Sequence, residues 1–216
     1  MTLIKIAWRS IQQRSLASLL TGLSMALGVS LVVAVLVAGQ IVDKSFRAGN
    51  GLGYNVIVGA KGGRLDLLLN TVYYLNRPIE NIPWNYYKEF LHANDRWGEG
   101  KDGKFAADVS LAIPLCLGDV LGEAGQYRVV GTMPEMFTEL LHATFSSGEC
   151  FKQNDFKAGV IGAEVARTEH LKVGDEFSPA HGVGGEKHMP FKIMGVLSRT
   201  GTPNDRAAFV NIEGFF

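Results

Sequence analysis

No phosphate-binding loop can be found in this sequence, although one stretch invites that reading. "YNVIVGAKGGRLDLLLN", Tyr54 to Asn70, has the form of a strand running into glycines and a lysine. A nucleotide-cradling loop needs G-x-x-x-x-G-K-[ST], because backbone amides hold the phosphates, the lysine reaches them and the hydroxyl binds magnesium. Counting from Gly59, the sixth residue is Arg64, followed by Leu65 and Asp66, so the second Gly, the Lys and the Ser/Thr are all missing. The dinucleotide pattern G-x-G-x-x-G fails as well, at Ala60 and Lys61. The stretch reads as a turn and not as an ATP site.

Other absences narrow the field. Lys plus Arg and Asp plus Glu both number 21, so no overall field attracts nucleic acid or an acidic partner. No Ser, Cys or Thr stands in an activation motif; "GLSMA" lies in an apolar run and lacks the second Gly of a nucleophile elbow. Acidic pairs such as Asp175–Glu176 read as solvated turn residues, and no catalytic residue is assigned. Cysteine is down to Cys116 and Cys150. In an oxidising compartment they allow a single bridge, and two buried reduced thiols are the equal alternative. Of the five histidines only His181 and His188 lie close together, in "AHGVGGEKH". With Glu186 they have the chemistry to bind zinc, and a membrane-anchored hydrolase would follow. Their spacing matches no familiar metal motif such as H-E-x-x-H, so a solvated loop is favoured and no metal or cofactor is expected.

Charge is also absent between Arg14 and Asp43, and there the chain becomes informative. "LASLLTGLSMALGVSLVVAVLVAGQIV", Leu16 to Val42, would reach ~40 Å as a helix and crosses a ~30 Å hydrocarbon core with tilt to spare. It is much longer than the ~7–15-residue core of a cleaved signal peptide, which favours an uncleaved anchor. Gly22, Ser24, Ala26 and Gly28 are small enough to let another helix approach closely in lipid. Lys5, Arg9 and Arg14 precede the span while Lys44 and Arg47 follow it, so the positive-inside count is nearly tied. Ahead of the span, Ile4, Ala7, Trp8 and Ile11 repeat at helical spacing opposite Lys5, Arg9 and Gln12. That pattern suits a helix lying on the membrane surface with Trp8 at headgroup level, or a plain extension of the span.

From Asp43 onward the chain reads as water-soluble, mixing strands and short helices without regular alternation. That argues α+β. "YNVIVG", "AADVSLAIPL", "YRVVG", "AGVIG", "FKIMGVL" and "AAFVNI" are expected strands, with "GDVLGEAGQ" as a turn. "IPWNYYKEFLHAN" is expected to be a helix with Pro83 in its first turn, Asn81 near its cap, and Trp84, Tyr87, Phe90 and Leu91 along one side. "MPEMFTELLH" and "AEVARTEHL" are expected short helices. "LDLLLNTVYYL", Leu65 to Leu75, is apolar on nearly every face and must be buried or covered by a partner.

Taken in order, these segments resemble the N-terminal part of the MacB/FtsX-type ABC transporter permeases. The likeness is carried by "IAWRSIQQRSLASLLTGLSMALGVSLVVAVL", then "VVGTMPEMFTEL", "GVIGAEVARTEHLKVGDEF" and "FKIMGVLSRTGTPNDRAAFVNIEGFF", and it covers essentially the whole chain. It implies a cytoplasmic segment over 1–15, a transmembrane helix over 16–42 and a periplasmic core domain over 43–216. It also implies an inner-membrane permease subunit, not itself an enzyme, that works with a separate ABC ATP-binding subunit and a second permease subunit. Its cargo would be a lipid, lipoprotein, peptide or drug. The Gly/Lys turn and the apolar helix after it would be a structural or substrate-facing element, with Leu65, Leu68, Leu69, Val72 and Tyr73 as its surface. Family members continue into further spans, so a chain stopping at Phe216 is expected to be a fragment. The alternative is a single-span anchor displaying a periplasmic binding module.

Overall fold

The computed structural model describes residues 5, 8, 9, 12–48, 54–76, 78–96, 98–122, 124–181 and 189–215. The chain divides into two compact units, Met1–Asn50 and Gly51–Phe216.

The first unit is built on one helix, α1, over Ser15–Ala48. Its stretch Ser15–Gln40 is long and apolar enough to cross a membrane, and none of it is buried within the chain. Leu, Ala and Val supply helix formers there, and the hydroxyls turn back on the helix itself. Thr21 Oγ1 donates to the Ala17 carbonyl and Ser30 Oγ to the Leu27 carbonyl, both at 2.9 Å. Such internal bonds leave few polar groups to be satisfied by the surroundings. Of the amphipathic pattern ahead of it, Ile4, Ala7 and Ile11 lie outside the described residues; Lys5, Trp8 and Arg9 are helical and exposed.

The second unit is a seven-stranded mixed sheet. In chain order its strands are β1 (Cys116–Leu121), β2 (Tyr127–Thr132), β3 (Phe145–Gly148), β4 (Ala158–Ile161), β5 (Glu176–Phe177), β6 (Phe191–Leu197) and β7 (Ala207–Asn211). They lie side by side as β1-β2-β7-β4-β6-β3, with β5 paired to β6. The last strand thus sits at the centre, parallel to β2 and antiparallel to β4. Its residues "AAFVN" are all buried, as a strand covered on both faces must be. Successive side chains point to opposite faces. Ala207 and Phe209 join one core layer with Val130, Phe137, Phe151 and Val160; Ala208 and Val210 join the other with Val129, Ile161, Val165 and Ile193.

Three helices complete the described unit: α2 (Arg64–Tyr73), α3 (Trp84–Lys88) and α4 (Ala163–Thr168). Several expectations need correction. "YNVIVG" forms no strand: Val56 and Val58 are exposed, with no ladder partner among the described residues, and β-branching only helps where a neighbour covers it. "AADVSLAIPL" opens with a 3-10 turn, Ala106–Asp108, and stays irregular through Pro114, which has no N–H to donate. The strand begins only at Cys116 and uses "GDVL", read above as turn. In "MPEMFTELLH" the segment Met136–Leu140 winds as a π-helix, with Leu141 N donating to the Met136 carbonyl. It buries Met136 and Phe137 but leaves Leu140 and Leu141 half-exposed. Pro83 stands at the N-cap of α3 rather than inside its first turn, and Asn81 makes no cap bond there. Tyr87 and Leu91 are buried behind that helix, Phe90 is half-buried and Trp84 is exposed.

Candidate functional site

Helix α2 has two unlike ends. An extended stretch and the turn Gly59–Gly63 lead into it, and Gly59 lies so near the Leu67 side chain that any Cβ there would collide with it. Asp66 in the first turn faces the positive end of the helix dipole. At the other end Tyr74 closes the helix in the left-handed conformation, φ 54°, a place usually left to glycine. Packing holds it there. The Tyr74 ring meets Phe209 edge-on at 5.9 Å, and its hydroxyl donates to Asn204 Oδ1 at 2.9 Å. Burial, and then the neighbouring Tyr54, raises the Tyr74 hydroxyl far above the usual phenol range. Burial and Tyr73 likewise push Tyr54 up to about 12. Arg128 ties the sheet to the same end, its guanidinium donating to the Leu75 and Gly118 carbonyls.

The receiving side of this joint is "RTGTPNDR". The Asp205 carboxylate accepts from Thr200 N, Thr200 Oγ1 and Gly201 N at 2.8–3.0 Å for the shortest contact of each. The turn Pro203–Arg206 is folded around it, presenting Asn204 to Tyr74. Gly162, before α4, approaches the carbonyls of Asn204 and Asp205 so closely that no side chain fits. Sequence reading missed Tyr74, Asn204 and Asp205. The signal was an acid placed just after Gly-x-Pro-Asn, where it can turn back onto loop amides.

Toward its start α2 leaves the core. Leu65 is 66% exposed and Leu68 42%; at the opposite end Tyr73, the last residue of the helix, is 49% exposed. Leu69 is half-buried, and Val72, expected on the same surface, is a core residue at 4% because it stands beside the Tyr74 anchor. Beside this end lies a groove of only about 40 Å³, lined by Lys61, Gly63, Asp66, Asn70, Ile79 and Glu80. Sites for drug-sized ligands run to ~300–1,000 Å³.

The remaining candidates separate. Cys116 opens β1 at one end of the strand order and Cys150 follows β3 at the other; both are free, half-buried thiols, so the candidate bridge is not formed. A bridge needs Cα atoms within ~7 Å, which that placement denies. Burial, then Glu135, pushes Cys150 up to about 12; burial and Asp119 raise Cys116. His188 and Glu186 lie outside the described residues, and His181 sits instead 2.8 Å from Asp119. Among the described residues no three metal-ligating side chains cluster. In α1 the four small residues form two pairs, Gly22/Ala26 and Ser24/Gly28. At ~100° per residue these lie on opposite sides of the helix, not in one stripe.

Comparison with known proteins places these features. No curated protein sequence matches the chain. Among solved structures, the periplasmic region of MacB from Actinobacillus actinomycetemcomitans is 14% identical with TM-score 0.34, over 51% of this chain and 53% of that one. The extracellular domain of the noncanonic ABC-type transporter YknZ from Gram-positive bacteria is 19% identical with TM-score 0.32, over 47% and 51%. The match thus spans about half the length of each. The MacB-like periplasmic core domain matches residues 18–215, taking in nearly all of the apolar helix as well as the sheet. The chain therefore belongs to the MacB-like periplasmic core domain family, a family of ABC-transporter permease components.

Proposed function

We propose that this chain serves in a permease subunit of an ABC transporter, its N-terminus cytoplasmic, α1 crossing the inner membrane and the sheet unit facing the periplasm. The observation that carries this reading is the family match from residue 18 to 215, which joins a membrane-length helix to the core domain. No phosphate-binding loop lies within these 216 residues, and the motor in this reading is an ATP-binding partner subunit. A second permease subunit completes the path, with Gly22/Ala26 and Ser24/Gly28 giving α1 two faces for close helix packing. ATP-driven closure of the motor moves α1, and the domain handles a lipid, lipoprotein, peptide or drug. The exposed start of α2, with Leu65 and Leu68, is where it meets its surroundings.

Purification from native membranes in mild detergent tests this. The expected outcome is an ATP-binding subunit in stoichiometric amount, whose ATPase is stimulated on reconstitution with this chain and which drives transport. A chain that purifies repeatedly with no ATP-hydrolysing partner would overturn the reading.

A further inference from the structure

Large apolar side chains are exposed very unevenly over the sheet unit. Nine of them fall between residues 56 and 86: Val56, Val58, Leu65, Leu68, Tyr73, Leu75, Ile79, Trp84 and Tyr86. Only Phe156, Val173 and Met189 are so exposed among the described residues beyond that point. Soluble surfaces rarely concentrate apolar side chains this way without a use for them. The stretch is also the first described part of the unit after α1, the helix long enough to cross a membrane. We propose that the start of α2 docks on the bilayer itself, Leu65 and Leu68 entering the boundary between headgroups and acyl chains.

Shape and chemistry favour lipid over a small ligand or a protein pocket. The exposed leucines lie one helical turn apart, at i and i+3, on a helix whose other end is pinned to the core by Tyr74. The adjoining groove, about 40 Å³, cannot enclose an organic molecule. Trp and Tyr are the side chains that settle at headgroup level, and Trp84, Tyr86 and Tyr73 are all exposed in this stretch. Lys61 and Arg64 are exposed and can lay their stems along the boundary while the charges stay wet. Asp66 and Glu80 match those two charges, so docking is apolar in origin and does not require anionic lipid. The inference needs α1 in the membrane, which is one part of the proposed function, but needs neither an ATPase nor transport.

The test uses the full chain in phosphatidylcholine vesicles, with a fluorophore on Leu68→Cys in a Cys116→Ala/Cys150→Ala background and nitroxide-labelled lipids as quencher. Lys172→Cys, on an exposed turn, is the control. Insertion by about 5–10 Å predicts quenching about three-fold stronger at 68 than at 172. It should be unchanged at about 0.5 M salt, where exposed charges are screened. Equal quenching at the two positions overturns the proposal, as does shielding at 68 that grows with protein density without lipid quenching, the mark of a second copy. If the cysteine-free background does not fold, hydrogen exchange of amides 64–68 carries the same test. Protection in phosphatidylcholine nanodiscs that is lost in Leu65→Asp/Leu68→Asp supports docking, and identical exchange in both chains refutes it. Lipid docking without ATPase copurification would leave this inference standing and sink only the transport reading.

Discussion

Strand β7, "AAFVN", and the stretch Ser15–Gln40 of α1 are both mainly apolar, yet every residue of the first is buried and none of the second is. Length separates them. Five residues of strand reach ~17 Å and need hydrogen-bonded neighbours on both edges, which β2 and β4 provide. Twenty-six residues of helix reach ~39 Å and satisfy their own backbone, so the run can leave its domain and use lipid as its solvent. Hydrophobicity decides that each must leave water; backbone bonding decides where each can go. Helix α2 stands between the two cases, one end in the core and the other exposed.

The largest loss of stability is expected at the centre of the sheet. Phe209 is wholly buried, with its ring against Tyr74 and Phe137. Phe209→Ala should cost about 3–5 kcal/mol in urea unfolding. In α1 the matching blow is a charge: Leu27→Arg, near the middle of the span, should raise the cost of insertion by about 2.5–3.5 kcal/mol and move protein into the alkaline-carbonate extract. Its effect on unfolding of the sheet unit should be far smaller than that of Phe209→Ala. At the anchored end of α2, Tyr74→Phe removes the donor to the buried Asn204 and should cost about 1–3 kcal/mol. Faster hydrogen exchange over Arg64–Tyr73 would localise that loss. At the exposed end, Leu65→Ala should change unfolding stability by no more than about 0.5 kcal/mol. A loss above 2 kcal/mol there would mean that α2 is packed along its whole length.

Much of the sheet was readable because its strands alternate around two core layers or run apolar through the centre. "YRVVG", "AGVIG", "FKIMGVL" and "AAFVNI" all became strands. β3, "FSSG", was missed: it is short and mostly exposed, and it exists because β6 has an edge to pair with. "YNVIVG" failed for the converse reason, having strand composition and no partner among the described residues. The candidate surface was half legible. Composition marked Leu65 to Leu75 as needing cover, but could not distinguish Val72, which the core covers, from Leu65, which it leaves bare.

The membrane-length helix, the absence of a nucleotide loop and the mixed α+β character were legible in the chain alone, because each depends on residues adjacent in sequence. Tertiary structure alone decided that β7 would be central, that Cys116 and Cys150 would stay apart, and that Tyr74 would meet Asn204 across 130 residues of chain. Those outcomes depend on which strand edges pair and which side chains share a core layer. Periodicity along the chain fixes which face of a segment seeks cover, and only the folded sheet supplies the cover.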